Sequence, residues 1–235
     1  MRNEFPVLLD FPQWLAVLIA IAIAYLLGST PVAYITSKWR GVNIYSVDSG
    51  NPGTANVFRN VGHWWGSWVF SADVTKGIAA IIAPGLLGVH GNLILLAGAA
   101  VVIGQQYPVF QRFQGGGGLA TASGVLMALH PTIGLISLAL TLGLLLPILR
   151  SGGSAAGVGL MAYMLIALAA EAPKSVILAS LLLGGLVLIR ALTRTRRTGN
   201  LSGPNSDTLT ELTHPPMDLP APDIDQLGPE TMRPA

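Results

Sequence analysis

Long apolar stretches alternate with short polar loops along most of this chain. A hydrocarbon core of about 30 Å needs roughly 20 helical residues to cross it, and fewer where polar loops dip in. On that scale the sequence predicts seven membrane-spanning helices. Their expected ranges are residues 11–34, 64–82, 92–104, 119–129, 132–149, 155–170 and 175–189.

Glycine and proline mark the breaks between these stretches. A soft interruption is expected inside the first span, where the chain reads Gly28-Ser-Thr-Pro31, because both residue types weaken a helix. Pro84, Pro131 and Pro173 are predicted to fall between spans, where the lost backbone donor matters least. The predicted fold class is therefore all-α, a polytopic integral membrane protein with about seven transmembrane helices.

Composition agrees with that class and excludes several kinds of chemistry. Of 235 residues, 51% are hydrophobic and only 10% are charged, whereas soluble domains usually carry about a quarter charged residues. The absence of cysteine excludes a disulfide framework and a thiolate nucleophile. The four histidines are scattered and stand at no metal-ligand spacing. No metal, other cofactor or nucleic-acid partner is expected.

The distribution of lysine and arginine predicts an orientation in the membrane. Lys38, Arg59, Arg112 and a cluster that begins at Arg190 fall in loops on one side of the predicted bundle, and Lys174 lies on the other. The positive-inside rule then places the N-terminus outside and the basic loops in the cytoplasm.

The composition changes after residue 197. From 198 to 235 the chain is rich in proline and acidic residues and has no apolar periodicity. Such a segment cannot bury enough apolar surface to fold. We expect a membrane domain at 1–197, followed by a disordered cytoplasmic tail at 198–235.

The first unusual loop covers residues 43–59, between the first two predicted spans. Its glycine and proline residues favour a tight, backbone-exposing loop over a helix. Short hydrogen-bonding side chains and one arginine surround them and could bind an anion, although a merely polar connection is the alternative. The side chains are Ser46, Asp48, Ser49, Asn51, Thr54, Asn56 and Arg59.

The second unusual loop runs from Gly104 and ends in four glycines, residues 115–118, that lead directly into an apolar helix. Backbone N–H groups and the positive end of a helix dipole would then converge on one spot, which suits phosphate. A flexible linker is the alternative. In the second predicted span, residues 64–82, Asp73 and Lys76 lie three residues apart and so share a helix face. They are either part of a site or a local ion pair.

These stretches together resemble the bacterial acyl-phosphate:glycerol-3-phosphate acyltransferases of the PlsY type. The first signature of that family, S-G-N-x-G-A-T-N-x-x-R, is matched from Ser49 to Arg59, with the alanine and threonine in swapped order. Its D-x-x-K-G is matched from Asp73 to Gly77. The second signature, G-H-x-x-P-V-F-x-x-F-K-G-G-K-G-x-A-T, is matched from Gly104 onward. The resemblance covers about residues 24–192.

Some positions depart from the family pattern. Gln105 stands in place of a histidine, Gln114 and Gly117 stand in place of lysines, and Asp48 stands where the family has glycine. The histidine–asparagine pair expected after the last span is absent around Arg190.

The resemblance implies transfer of an acyl group from acyl phosphate to glycerol 3-phosphate at the cell inner membrane, in phospholipid biosynthesis. A non-catalytic relative that binds a lipid phosphate or partners a true acyltransferase is the alternative. The resemblance assigns catalytic orientation to Ser49, Asn51 and Asn56 and phosphate binding to Arg59. Further substrate-binding residues would be Asp73, Lys76, Gly115, Gly116, Gly117, Gly118, Thr121 and Ser154.

Overall fold

The computed structural model describes residues 12–145 and 152–201, with side chains at 12–143 and 157–193. Every regular element within these ranges is helical, which confirms the all-α prediction. Two 3₁₀ turns, Gly91–Leu93 and Val109–Gln111, and one π turn, Thr141–Leu145, accompany the α-helices. The α-helices are α1 (Gln13–Ser29), α2 (Val32–Trp39), α3 (Thr54–Asn60), α4 (His63–Leu86), α5 (Ile94–Gln106), α6 (Leu119–Leu129), α7 (Pro131–Leu140), α8 (Gly152–Ala169) and α9 (Lys174–Leu201).

Four described helical segments are long and apolar enough to cross a membrane: Gln13–Trp39, His63–Leu86, Gly91–Gln111 and Lys174–Thr193. Three further apolar helices are shorter, at Leu119–Leu129, Pro131–Gly143 and Gly157–Ala169. The structure thus confirms a membrane-spanning helical protein, while the count of seven spans stays a prediction.

Of two helix boundaries predicted from glycine and proline, one is confirmed and the other is wrong. The break inside the first span is confirmed, since α1 ends at Ser29 and α2 begins at Val32. The placement of Pro84 between spans is wrong, because α4 continues through it to Leu86. A proline there removes only one helical donor close to the helix end, so the last turn tolerates it.

Helix α9 extends to Leu201 and therefore includes the first four residues of the predicted tail. The remainder of that tail lies outside the described residues, and its disorder stays a prediction.

Helices α1 and α5 approach each other closely at glycine residues. A Cβ at Gly28 would overlap the carbonyl oxygen of Val101, and a Cβ at Gly104 would overlap that of Tyr25, so α1 and α5 pack backbone against backbone. Small residues permit such approach in membranes, where dispersion contacts between helices replace the hydrophobic effect.

Helices α4 and α6 also approach each other closely at glycine residues. A Cβ at Gly77 would overlap the carbonyl oxygen of Thr121, and one at Gly124 would overlap that of Val74. Because α4 and α5 each begin or end beside a polar loop, these two tight pairs fix the positions of the loops at one end of the bundle.

The core and the outer surface are both apolar. Val101, Val125 and Tyr163 are among the fully buried side chains that join α5, α6 and α8. Outward-facing residues such as Leu18 and Leu178 are more than half exposed. Apolar residues on both sides of a helix are expected where the outer side meets lipid.

Candidate functional site

A cavity of about 620 Å³ opens beside the two polar loops. Its polar end is lined by Asn51 and Thr54 from the first loop, by Arg59 from α3, and by Gln105 at the end of α5. The glycines at 116–118 complete that end. The cavity continues between α6, α7 and α8, where its lining is mostly apolar. One space therefore joins a polar mouth to a hydrophobic arm.

The first loop is organised by one buried amide. Asn56 is 2% exposed, and its Nδ2 donates to the carbonyl oxygens of Ile44, Val47 and Asn51 at 3.0–3.1 Å. Its Oδ1 accepts a hydrogen bond of 2.6 Å from Asn60. A side-chain amide can fill both donor and acceptor roles, so Asn56 closes the loop without touching the cavity.

Arg59 pairs with Asp48 across the same loop. Its Nε donates to Asp48 Oδ2 at 2.9 Å, and its Nη2 contacts the same oxygen. The hydrogen bond from Arg59 is the main reason why the pKa of the Asp48 carboxyl lies below its usual value. Asp48 has a φ of 49°, a left-handed conformation that glycine adopts most readily and that Asp and Asn also tolerate. That conformation accounts for the glycine that the family pattern places here.

Asp73, Lys76 and Gln105 form a closed triangle of hydrogen bonds. Lys76 Nζ donates to Asp73 Oδ1 at 3.0 Å and to Gln105 Oε1 at 3.1 Å. Gln105 Nε2 in turn donates to Asp73 Oδ2 at 3.0 Å. The third lysine donor reaches the carbonyl of Thr30 at 2.7 Å. An ammonium has three donors, so Lys76, 5% exposed, has its hydrogen-bonding capacity fully used inside the protein.

The glycine loop, residues 115–118, packs against the end of α5. A Cβ at Gly115 would overlap the carbonyl oxygen of Gln105 and Cδ of Pro108, so no other residue type fits there without movement. Gly116 donates its N–H to the carbonyl oxygen of Gln105 at 3.0 Å. Gly118 has a φ of 79° and directly precedes α6. The first N–H groups of α6 have no carbonyl partners within the helix, so this end of the helix suits an anion.

The structure brings the two polar loops into contact. A Cβ at Gly116 would lie 3.1 Å from the carbonyl oxygen of Pro52. The hydroxyl of Tyr45 donates to the carbonyl of Gln114 at 3.1 Å. Two stretches more than 60 residues apart in sequence therefore form one polar mouth.

The hydrophobic arm of the cavity lies between α6, α7 and α8. Leu126, Met127, Leu138 and Leu160 contribute to its lining. Tyr163 also lines it, and its hydroxyl donates to the carbonyl of Leu126 at 2.9 Å. Because that hydroxyl is satisfied, the ring presents an apolar surface to the arm.

Six of the predicted site residues line the cavity: Asn51, Arg59, Asp73, Gly116, Gly117 and Gly118.

The other predicted site residues do not line it. Asn56 and Lys76 are buried in the networks described above, and Gly115 is packed against α5. Thr121 is fully buried against Gly77 on α4, because the close α4–α6 contact occupies that side of α6. Ser49 is exposed on the loop, outside the lining. Ser154 falls in the first turn of α8, but its side chain lies outside the described residues.

Sequence reasoning missed a polar stripe on α4. His63, Ser67 and Ser71 all line the cavity. They recur at intervals of four residues along α4, and residues so spaced share one helix face. That spacing is the signal that could have identified them. Gln105 was noted only as a departure from a pattern, although it links the buried triangle to the cavity.

The family model described as glycerol-3-phosphate acyltransferase matches residues 18–200 of this chain. A glycerol-3-phosphate acyltransferase of Aquifex aeolicus is 36% identical over 174 residues, which cover 74% of this chain and 90% of that protein. One from Thermoanaerobacter sp. strain X514 is 48% identical over 127 residues, covering 53% of this chain. The matched segment spans 63% of the length of that relative.

Solved structures of PlsY, an integral membrane glycerol 3-phosphate acyltransferase, have the same fold. Its glycerol 3-phosphate form aligns with a TM-score of 0.70 at 32% identity, covering 85% of this chain and 100% of that one. Its lysophosphatidic acid form aligns with a TM-score of 0.65 at 30% identity, covering 84% and 92%. The resemblance predicted from the signatures is thereby confirmed.

Proposed function

The chain belongs to the glycerol-3-phosphate acyltransferase family, and we propose that it transfers a fatty acyl group from acyl phosphate to glycerol 3-phosphate, forming lysophosphatidate. The observation that carries this proposal is the single cavity with a polar mouth and a hydrophobic arm. Both substrates bear a phosphate, which suits the mouth. Only the donor and the product carry a long acyl chain, which suits the arm between α6 and α8.

The chemistry needs no covalent enzyme intermediate. A hydroxyl of glycerol 3-phosphate attacks the carbonyl carbon of acyl phosphate, a new ester C–O bond forms, and the bond to the phosphate oxygen breaks. The released phosphate takes up the hydroxyl proton, so the overall reaction balances. Because acyl phosphate is already activated, holding the two substrates in register and stabilising the carbonyl oxyanion are enough to accelerate the step.

The geometry divides the predicted residues into two groups. Asn51, Arg59 and the glycines at 116–118 line the cavity, which supports direct contact between these residues and substrate. Arg59 supplies a full positive charge, and the backbone donors before α6 supply partial charges. Asn56 and Lys76 act through the structures that they hold, the first loop and the end of α5. We therefore assign them positioning roles and not the direct substrate contacts expected from the signatures.

We further propose that the mouth faces the cytoplasm of a bacterial cell, at the inner leaflet of the inner membrane, with the N-terminus outside. The asymmetry of lysine and arginine supports this orientation. The bilayer would then receive the acyl chain of the product from the hydrophobic arm. Single cysteines introduced at Thr54 and Ser202 should be labelled only from the cytoplasmic side, and labelling of either from outside contradicts the orientation.

Acyl transfer by the purified protein, with acyl phosphate and radiolabelled glycerol 3-phosphate, tests the function directly. Arg59→Ala should raise the KM for glycerol 3-phosphate or acyl phosphate by about ten-fold or more, as expected for the loss of a charge-assisted bond. Arg112→Ala is the matched control, because Arg112 is exposed and outside the cavity lining.

Two results would redirect the proposal. If product forms but Arg59→Ala and Arg112→Ala change the KM equally, Arg59 does not bind substrate. Absence of product, together with binding of lysophosphatidate to the folded protein, would favour the non-catalytic relative.

A further inference from the structure

The cytoplasm-facing part of α9, as we orient it, contacts the glycine loop through Arg190. Arg190 Nη2 donates to the carbonyl oxygen of Gly115 at 3.1 Å, and its Nε donates to that of Gly116 at 3.4 Å. Its guanidinium also lies over the ring of Tyr107, 4.4 Å from the ring centre. The backbone of Tyr107 is fixed in turn, because its carbonyl accepts a hydrogen bond of 2.9 Å from Tyr25. Arg190 is thus held at three points.

The next glycine carbonyl is also held from outside the loop. Gln106 is 2% exposed, and its Nε2 donates to the carbonyl oxygens of Gly117 and Leu186, each at 3.2 Å. Leu186 lies on α9, one turn before Arg190. Three successive glycine carbonyls therefore accept hydrogen bonds from side chains that are anchored on α5 and α9.

The direction of these carbonyls determines the direction of the N–H groups. In a trans peptide the C=O and N–H of one unit point opposite ways. The Gly115 carbonyl points to Arg190, and the N–H of Gly116 points the other way, to Gln105. By the same rule the N–H groups of Gly117 and Gly118 point away from Arg190 and Gln106. Within the described residues neither N–H has a hydrogen-bond partner, and both glycines line the cavity.

We infer that Arg190 is a positioning residue, which turns the glycine loop so that the N–H groups of Gly117 and Gly118 face a substrate phosphate in the cavity. Arg190 is not among the residues that line the cavity, so it acts through the loop. This inference rests on the proposed function and names the residue that organises its phosphate site. Four glycines in a row have no side chains to fix their own conformation, and the bracing must come from elsewhere.

The test compares Arg190→Gln and Arg190→Lys with the wild type, using Arg112→Gln as the matched control. Loss of both loop contacts should raise the KM for the phosphate substrate that the loop binds by about ten-fold, with a much smaller change in kcat. Lysine keeps the charge but not the planar two-donor fork, so Arg190→Lys should lie between the wild type and Arg190→Gln. Tyr107→Leu removes only the ring under the guanidinium and should shift the same KM less.

A binding measurement keeps the inference testable without turnover. Inorganic phosphate should raise the melting temperature of the wild type and of Arg112→Gln but not that of Arg190→Gln. If the wild type transfers no acyl group yet is stabilised by phosphate, the proposed function fails while the role of Arg190 is still tested by this comparison.

Three results would overturn the inference. They are an unchanged KM and phosphate response in Arg190→Gln, a fall in kcat alone, and full activity in Arg190→Lys. The second would indicate general damage to the bundle, and the third would show that only the charge of Arg190 matters.

Discussion

The two polar loops at the cavity mouth are built in opposite ways. The first loop contains its own organiser, since Asn56 lies inside it and satisfies three of the surrounding carbonyls. The glycine loop contains none, and its carbonyls are held by Gln106 and Arg190 from other elements. One loop is therefore organised from within, chiefly by Asn56, whereas the other depends on the packing of α5 and α9. Substitutions should distinguish these two designs.

The largest effect is expected from Asn56→Asp. A carboxylate has nearly the same shape as the amide but no N–H, so three buried or half-buried carbonyl oxygens lose their donor. The free energy of unfolding should fall by about 3 kcal/mol, and activity should be lost with it. Thermal melting in detergent measures the first effect. Asn43→Asp is the control, because exposed Asn43 uses only its oxygen, which accepts from the Tyr45 N–H. A similar loss in both variants would show that Asn56 is no special organiser.

The next largest effect is expected from Gly115→Ala, with Gly117→Ala in the same loop as its comparison. In Gly115→Ala the new methyl meets the Gln105 carbonyl and Pro108, and overpacking of this kind costs about 1–3 kcal/mol. Activity should fall by about ten-fold. In Gly117→Ala the methyl meets nothing within 4 Å, and Gly117 does not have a positive φ, so activity should stay near that of the wild type. Equal sensitivity at both positions would contradict the packing seen here.

A gain is expected from Gly117→Lys. The open space around Gly117 admits a side chain, and the new ammonium would add a full charge to a loop that offers an anion only backbone N–H groups. Acyl transfer to glycerol 3-phosphate should rise by about ten-fold, equivalent to 1.4 kcal/mol. Gly117→Gln provides a neutral control of similar length. If both variants are equally active, charge is not what limits the loop. Gln105→His would restore the histidine of the family pattern, but it should not be combined with Gly117→Lys. It would disturb the triangle that Gln105 forms with Asp73 and Lys76.

The smallest effect concerns Asp48, which pairs with Arg59 and should therefore compete with a substrate phosphate for it. Because Arg59 lowers the pKa of the Asp48 carboxyl, the carboxylate stays charged and paired at every pH above that lowered pKa, and the pair is lost only as the pH falls through it. Asp48→Asn keeps a residue that tolerates the left-handed backbone and removes the charge. The side chains of Arg59 and Asp48 are 50% and 38% exposed, and exposed pairs are weak, so the KM for the phosphate substrate should fall only about two-fold. A higher KM would mean that Asp48 orients Arg59 for binding.

The sequence anticipated the membrane fold well because its signals are local. Apolar stretches, together with glycine and proline at their ends, give a helix in each predicted range, and the fourth, at Leu119–Leu129, has the predicted bounds. Other ends differ, since α7 ends at Leu140 and α9 continues to Leu201. Pro84 was misplaced because proline weighs less in the last turn of a helix than in its middle. The signatures also identified the family and the two loops that meet at the cavity.

The roles of individual residues were less predictable. Asn56 and Lys76 belong to matched signatures, yet the structure turns both into the protein, while Thr121 is covered by α4. A signature tells which residue type stands at a position but not which way its side chain points. That direction is decided when helices pack.

The sequence by itself therefore determined that this chain is a helical membrane protein, where its two unusual polar stretches lie, and which family it resembles. It did not determine every helix boundary, since Thr54–Asn60, in a stretch predicted as a loop, forms α3. Only the tertiary structure decided that Arg59 pairs with Asp48, that Lys76 closes a triangle with Gln105, and that Arg190 holds a loop more than 70 residues away. The physical reason is the range of the interactions. Hydrophobic periodicity and helix breaking act between near neighbours in the chain, whereas the hydrogen bonds of Lys76 and Arg190 form between groups that only the packing of α1, α4, α5 and α9 brings together. The Arg59–Asp48 pair is closer in sequence but depends on the path that the first loop takes.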